Sequence, residues 1–173
     1  MDAGSKSPDA MLGEEFLTWL WYQSDTAPDS FTTQNGSPFH VYMEQRIVVQ
    51  GGQGNEKETA TVTGSLSPLR EARFGLGTGK KVTRALIRLE KDDFAFQFTL
   101  RAEDFSIGSL KTPKLDREDR DDEPDALFLE KIYLIENCLE MLDNLYNSFL
   151  LLRFSNLWQK EVAGMAQWLA RTE

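Results

Sequence analysis

One run of apolar residues constrains this chain more than any other feature. Phe128, Ile132, Ile135, Leu139, Leu142, Tyr146 and Phe149 alternate spacings of four and three over three heptads. Leu134, Cys138, Met141 and Leu145 widen that seam. The spacing predicts a helix over 125–152, about 42 Å long. A compact domain of 173 residues has a radius of gyration of about 16 Å. The helix therefore crosses the whole domain or projects from it. Its seam reads either as a core helix on a sheet or as a dimer interface. The seam is wider than a strict two-residue stripe, which favours packing on two sides at once, a sheet on one and a partner helix on the other.

The length suits one domain spanning residues 1–173, large enough to make a core without disulfides or metal. A single Cys excludes a disulfide framework and any Cys-based zinc site, and a single His excludes the common poly-His metal sites. No metal and no cofactor are expected. Apolar runs are short, so no membrane span is expected, and Met1 to Asp9 lacks the apolar stretch of a secretion signal. A cytoplasmic location is the resulting expectation.

Along the chain, Ser7-Pro8-Asp9 is a helix start, and Leu12, Phe16, Trp19 and Gln23 continue it in one stripe with Leu17, Leu20 and Trp21. The pattern predicts a helix over 9–23, then a polar loop over 25–38. From Phe39 the period becomes two. Val41, Met43, Gln45, Ile47 and Val49 face one way, and His40, Tyr42, Glu44, Arg46 and Val48 the other. A Gly-rich connection leads to a partner strand over 57–65, and Ser67-Pro68 opens a short helix from Leu69 to Leu76. A second hairpin follows. Its strands run from Val82 to Lys91 and from Phe94 to Arg101, turning at Asp92-Asp93, with Phe105 to Leu110 as an edge strand. Residues 116–125 are nearly all charged and read as a solvated linker. The remainder, 125–171, reads as a helical hairpin. Ser155 caps its second helix, which carries Trp158, Val162, Met165 and Leu169 in one stripe. The expected fold is α+β: a four- to five-stranded antiparallel sheet of two hairpins over 39–111, covered by N-terminal and long C-terminal helices.

No constellation points to catalysis. Gly75 to Lys81 resembles a phosphate cradle but has three residues between its outer glycines where a P-loop has four, and it precedes a strand. It reads as a helix stop. His40, Tyr42 and Glu44 share a strand face at steps of about 7 Å, too far apart for a proton relay. The buried-seam position of Cys138 makes it a small hydrophobe. The chain is therefore not expected to be an enzyme, and no small-molecule substrate is identified.

Charge is more informative. The net charge is −9, but residues 39–111 hold 11 Lys+Arg and 9 Asp+Glu, a net of +2, while the flanks hold −11. By alternation Arg46, Lys57, Arg84, Arg88 and Arg101 share the polar sheet face, with Lys80 and Lys81 at its rim. Such a face suits a phosphate backbone, with charge supplying affinity but no sequence choice. The plain alternative is a solvated face whose cations are answered by Glu44, Glu56 and Glu90.

Three segments look familiar together: Leu12 to Trp21 (LGEEFLTWLW), Leu110 to Pro113 (LKTP), and Glu130 to Glu136 (EKIYLIE) running on to Arg153-Phe154-Ser155. They resemble short bacterial proteins similar to the recombination-associated protein RdgC. RdgC itself is longer, a ring-forming dimer that binds DNA without strong sequence preference and restrains recombinase loading. The resemblance implies a non-enzymatic DNA-binding protein, with a homo-oligomer built on the long helix. The alternative is a dimeric protein–protein scaffold that touches no nucleic acid.

Overall fold

The structure, a computed structural model, describes residues 7–51, 58–63, 81–115 and 124–171. Helix α1 runs Pro8–Thr26, and its start follows the sequence signal: Ser7 Oγ accepts from the Ala10 amide at 3.2 Å and Pro8 opens the first turn. It extends three residues beyond the expected end. Strands β1 (His40–Gly51), β2 (Glu58–Thr63), β3 (Lys81–Lys91), β4 (Phe94–Arg101) and β5 (Ile107–Lys111) follow. Every pairing is antiparallel, in the order β2-β1-β3-β4-β5. The two expected hairpins thus lie side by side, with β5 at one edge. The expected short helix 69–76, the glycine motif as far as Lys80 and residues 116–123 lie outside the described residues.

Helices α2 (Pro124–Arg153) and α3 (Trp158–Ala170) complete the fold. Pro124 and Asp125 of the expected linker belong to the first turn of α2, where a missing N–H and a negative charge both suit a helix N-terminus. Ser155 does not cap α3 directly. Its hydroxyl accepts from Leu157 in the preceding turn, and α3 begins at Trp158.

One continuous core joins sheet and helices. Val41, Ile47, Val82, Ala85, Ile87, Leu89, Phe96, Phe98 and Leu100 bury one sheet face against Phe16, Leu17, Leu20 and Trp21 of α1. The rings of Phe105, Tyr146 and Phe149 pack around Phe16 with centroids 5.6, 5.3 and 5.5 Å away, and Trp158 closes on Phe149 at 5.7 Å. Beside this cluster, Arg153 at the end of α2 forks onto the Glu15 carboxylate of α1. Trp168 of α3 donates its indole N–H to Asp25 at 3.0 Å.

The α2 seam is corrected in phase. Its core-facing side is Leu134, Cys138, Met141, Leu142, Leu145 and Phe149. Of the predicted stripe, only Leu142 and Phe149 are buried; Ile135 and Tyr146 are half-buried, and Phe128, Ile132 and Leu139 are exposed. Apolar side chains cover more than half the circumference of α2, so spacing fixes the helix but not which stripe meets the sheet. In α3, Val162 is likewise exposed, and Trp168 joins Trp158 in the core. Phe94, at the hairpin turn, is 47% exposed.

Two expected outcomes follow from this packing. A Cβ on Gly13 would collide with the Ala102 carbonyl oxygen, a backbone atom just past β4 whose residue is tied to β3 by the Ala102 amide donating to the Thr83 carbonyl. Gly13→Ala is expected to destabilise the fold by about 2–3 kcal/mol, read from urea unfolding. Burial pushes the Cys138 thiol from its ordinary 9.0 up to about 11. Between those values the native state holds a proton that the unfolded chain releases, so stability falls as pH rises through that window. Unfolding midpoints measured from pH 8 to 11 should show this loss in the wild type, and Cys138→Ala should lack that component.

Candidate functional site

The outer face of the sheet is built by cross-strand register. One row sets Tyr42, Arg88, Gln97 and Lys111 side by side across β1, β3, β4 and β5. A second sets Val48, Arg84 and Arg101 across β1, β3 and β4. No described helix packs on this face in the way α1 packs on the other.

The cations along these rows are not equivalent. Arg88 lies over the Tyr42 ring, 5.5 Å from its centroid, and pairs with Glu44 at 3.6 Å and with Glu90 beside it on β3. Two carboxylates and a ring hold it, so that end of the face is the solvated arrangement the sequence offered as an alternative. Arg84 and Arg101 stand directly opposite each other on β3 and β4. Like charges in that position repel, with Cβ atoms roughly 4.5–5.5 Å apart. No ion pair involves either residue among the described ones. Asp104, at the exposed turn after β4, feels the Arg101 charge. Its carboxyl is held below the usual range first by its hydrogen bonds with Ser106 and then, in smaller part, by that arginine.

Lys111 joins this face, and alternation does not reveal it. Ile107 pairs with the inward Leu100, so unbroken alternation would turn Lys111 inward as well. A register shift lies between the Thr99–Gly108 and Gln97–Lys111 pairs, with Ser109 in the left-handed region at φ 53°. The extra residue resets the parity and places Lys111 beside Gln97. The only sequence signal for such a bulge is the Gly108-Ser109 pair itself. Lys81 is exposed at the start of β3. Arg46 lies on β1 opposite Thr63, described in backbone only, and Lys57 and Lys80 lie outside the described residues.

His40, Tyr42 and Glu44 do share a face, but each has its own engagement. His40 Nε2 is 3.5 Å from Asp29, the His40 and Tyr42 rings stack at 6.3 Å, and Glu44 holds Arg88. Among the described residues no cluster of His, Cys, Asp and Glu has the arrangement of a metal site, and no helix is long and apolar enough to cross a membrane.

The second surface is the far side of α2. Phe128 and Leu129 are each 64% exposed, and Ile132, Tyr133 and Leu139 also face solvent. Exposed carboxylates of Asp125, Glu136, Glu140 and Asp143 stand among them.

The chain matches no protein-family model and no curated protein. Within the fold, Glu15 and Phe16 of α1 touch Arg153 and the Phe149 ring at the end of α2.

The arrangement separates two arginines by their partners. Arg88→Ala removes a cation that two carboxylates already answer, leaving Glu44 and Glu90 uncompensated, and is expected to lower stability by about 0.5–1 kcal/mol. Arg84→Ala relieves a like-charge pair and is expected to leave stability unchanged or slightly raised. Paired urea titrations at low and high salt check both.

Proposed function

We propose that this chain is a non-enzymatic, recombination-associated DNA-binding protein that contacts the phosphate backbone without reading sequence. The observation that carries the proposal is the Arg84–Arg101 pair. Arg84 and Arg101 stand opposite each other in the β3–β4 register, on a sheet face over which no described helix packs, with Lys111 in the neighbouring row and Lys81 exposed at the start of β3. Such a pair costs stability in the free protein, and an anion bridging it removes that cost. Backbone contacts of this kind position a duplex or single strand but specify no base. The RdgC-like resemblance supports the same reading. The acidic remainder of the chain confines binding to this patch, because net charge elsewhere repels DNA.

A second reading, a protein-interaction module without nucleic-acid contact, is favoured by one specific observation: the apolar side chains exposed along α2. In its simplest form that module is the homodimer expected from the long helix.

Fluorescence anisotropy with labelled single- and double-stranded oligonucleotides, titrated over a range of salt, tests the first reading. Wild-type binding should weaken log-linearly with salt. Arg84→Ala with Arg101→Ala should weaken it uniformly across sequences and lower the duplex salt slope by about 1.8, two phosphate contacts' worth. Arg88→Ala should change it little. No binding at low salt overturns the proposal.

A further inference from the structure

The exposed face of α2 has a sign as well as an apolar character. At about 100° per residue, Phe128, Leu129, Ile132 and Leu139 lie within an arc of about 100°, and Asp125, Glu136 and Asp143 fall inside the same arc. The centre of that arc is roughly 140° around the helix from the stripe that meets the core. All three charged groups within the arc are carboxylates, and all three are exposed. Lys131 lies on the opposite flank, towards the core stripe.

We infer that this face docks a cationic amphipathic helix of another protein. The inference rests on the second reading above, that the chain is a protein-interaction module, and gives that module's partner a chemistry. An apolar stripe of the incoming helix covers Phe128, Ile132 and Leu139, and Lys or Arg residues beside it meet Asp125, Glu136 and Asp143. The apolar part of the contact runs from Phe128 to Leu139, about 17 Å of helix, and the carboxylates extend it from Asp125 to Asp143, about 27 Å or five turns.

A second copy of the chain fits less well. In an antiparallel twofold pairing of α2 the carboxylate-bearing side meets its own copy, carboxylate against carboxylate. The net charge of −9 adds repulsion between two copies as they approach. A cationic helix turns both effects into attraction.

The test uses the full chain with two labelled peptides of about 18 residues, long enough to form helix on binding. Both carry Leu at heptad positions; one has Lys at the flanking positions and the other Glu. Sedimentation equilibrium of the chain alone runs in parallel. The Lys peptide should bind and the Glu peptide should not. Glu136→Gln with Asp143→Gln should weaken Lys-peptide binding about fivefold, and Ile132→Ser with Leu139→Ser at least about tenfold. Both sets of positions are exposed, so the fold tolerates them, as circular dichroism would verify.

Equal binding of both peptides overturns the charge assignment while leaving an apolar docking face. Self-association that is lost in Ile132→Ser with Leu139→Ser makes a second copy the occupant and also overturns it. Lys-peptide binding untouched by the serine substitutions is diffuse attraction to an acidic protein, and overturns it too. No peptide binding by a monomeric chain removes both the inference and the reading on which it rests.

Discussion

Where α1 passes the end of β4, Gly13 brings the helix backbone against the Ala102 carbonyl with no room for a side chain. That approach sets the height of α1 over the sheet. Phe16, Leu17, Leu20 and Trp21 can then reach the apolar face formed by Ile47, Ala85, Ile87 and Leu89. The same height lets Phe16 serve as the hub of a ring cluster drawn from the β4–β5 turn and from α2. Phe105 contributes to that cluster from a left-handed backbone, φ 59°, an unfavourable state for a bulky residue. Its ring is held against Tyr146 at 4.5 Å, and Asp104 caps the next amide. Packing offsets the local cost. The ring cluster and the α1 contact lie on one face of the sheet, and the arginines of β3 and β4 are carried on the other.

The period-two and period-3.6 patterns are enough to place the three described α-helices and to pair the hairpins, because both depend on local spacing. Azimuth and register are another matter. The stripe from Phe128 to Phe149 is regular, yet Leu134, Cys138, Met141 and Leu145 are the residues that face the core. A helix apolar on most of its surface has more than one self-consistent phase, and only the shape of the sheet beneath selects one. Lys111 was hidden for a related reason: a single bulge at Ser109 reverses the parity of everything after it. Arg88 was legible as a face residue, but its neutralisation needed Glu44 on the neighbouring strand, and that pairing depends on the register between β1 and β3.

Charge on the outer face is therefore divided by neighbours rather than by count. At one end, Tyr42, Glu44 and Glu90 surround Arg88 and leave that patch with more negative than positive charge. At the other, Arg84 and Arg101 oppose each other across two strands. Four residues of β3, about 13 Å, separate a settled ion-pair network from an unsettled cationic pair. Sequence-wide net charge averages over both and describes neither.

The fork between Glu15 and Arg153 and the hydrogen bond between Asp25 and Trp168 join residues 138 and 143 positions apart. During synthesis α1 leaves the ribosome long before either partner exists. At about 5–20 residues per second, its aromatic side waits on the order of ten seconds for α2 and α3. Closing so long a loop also comes late and slowly in folding. A helix carrying Phe16, Trp19, Leu20 and Trp21 is a strong hydrophobic target throughout that interval. The nascent chain is thus exposed to chaperone capture at the same surface that later becomes its most buried.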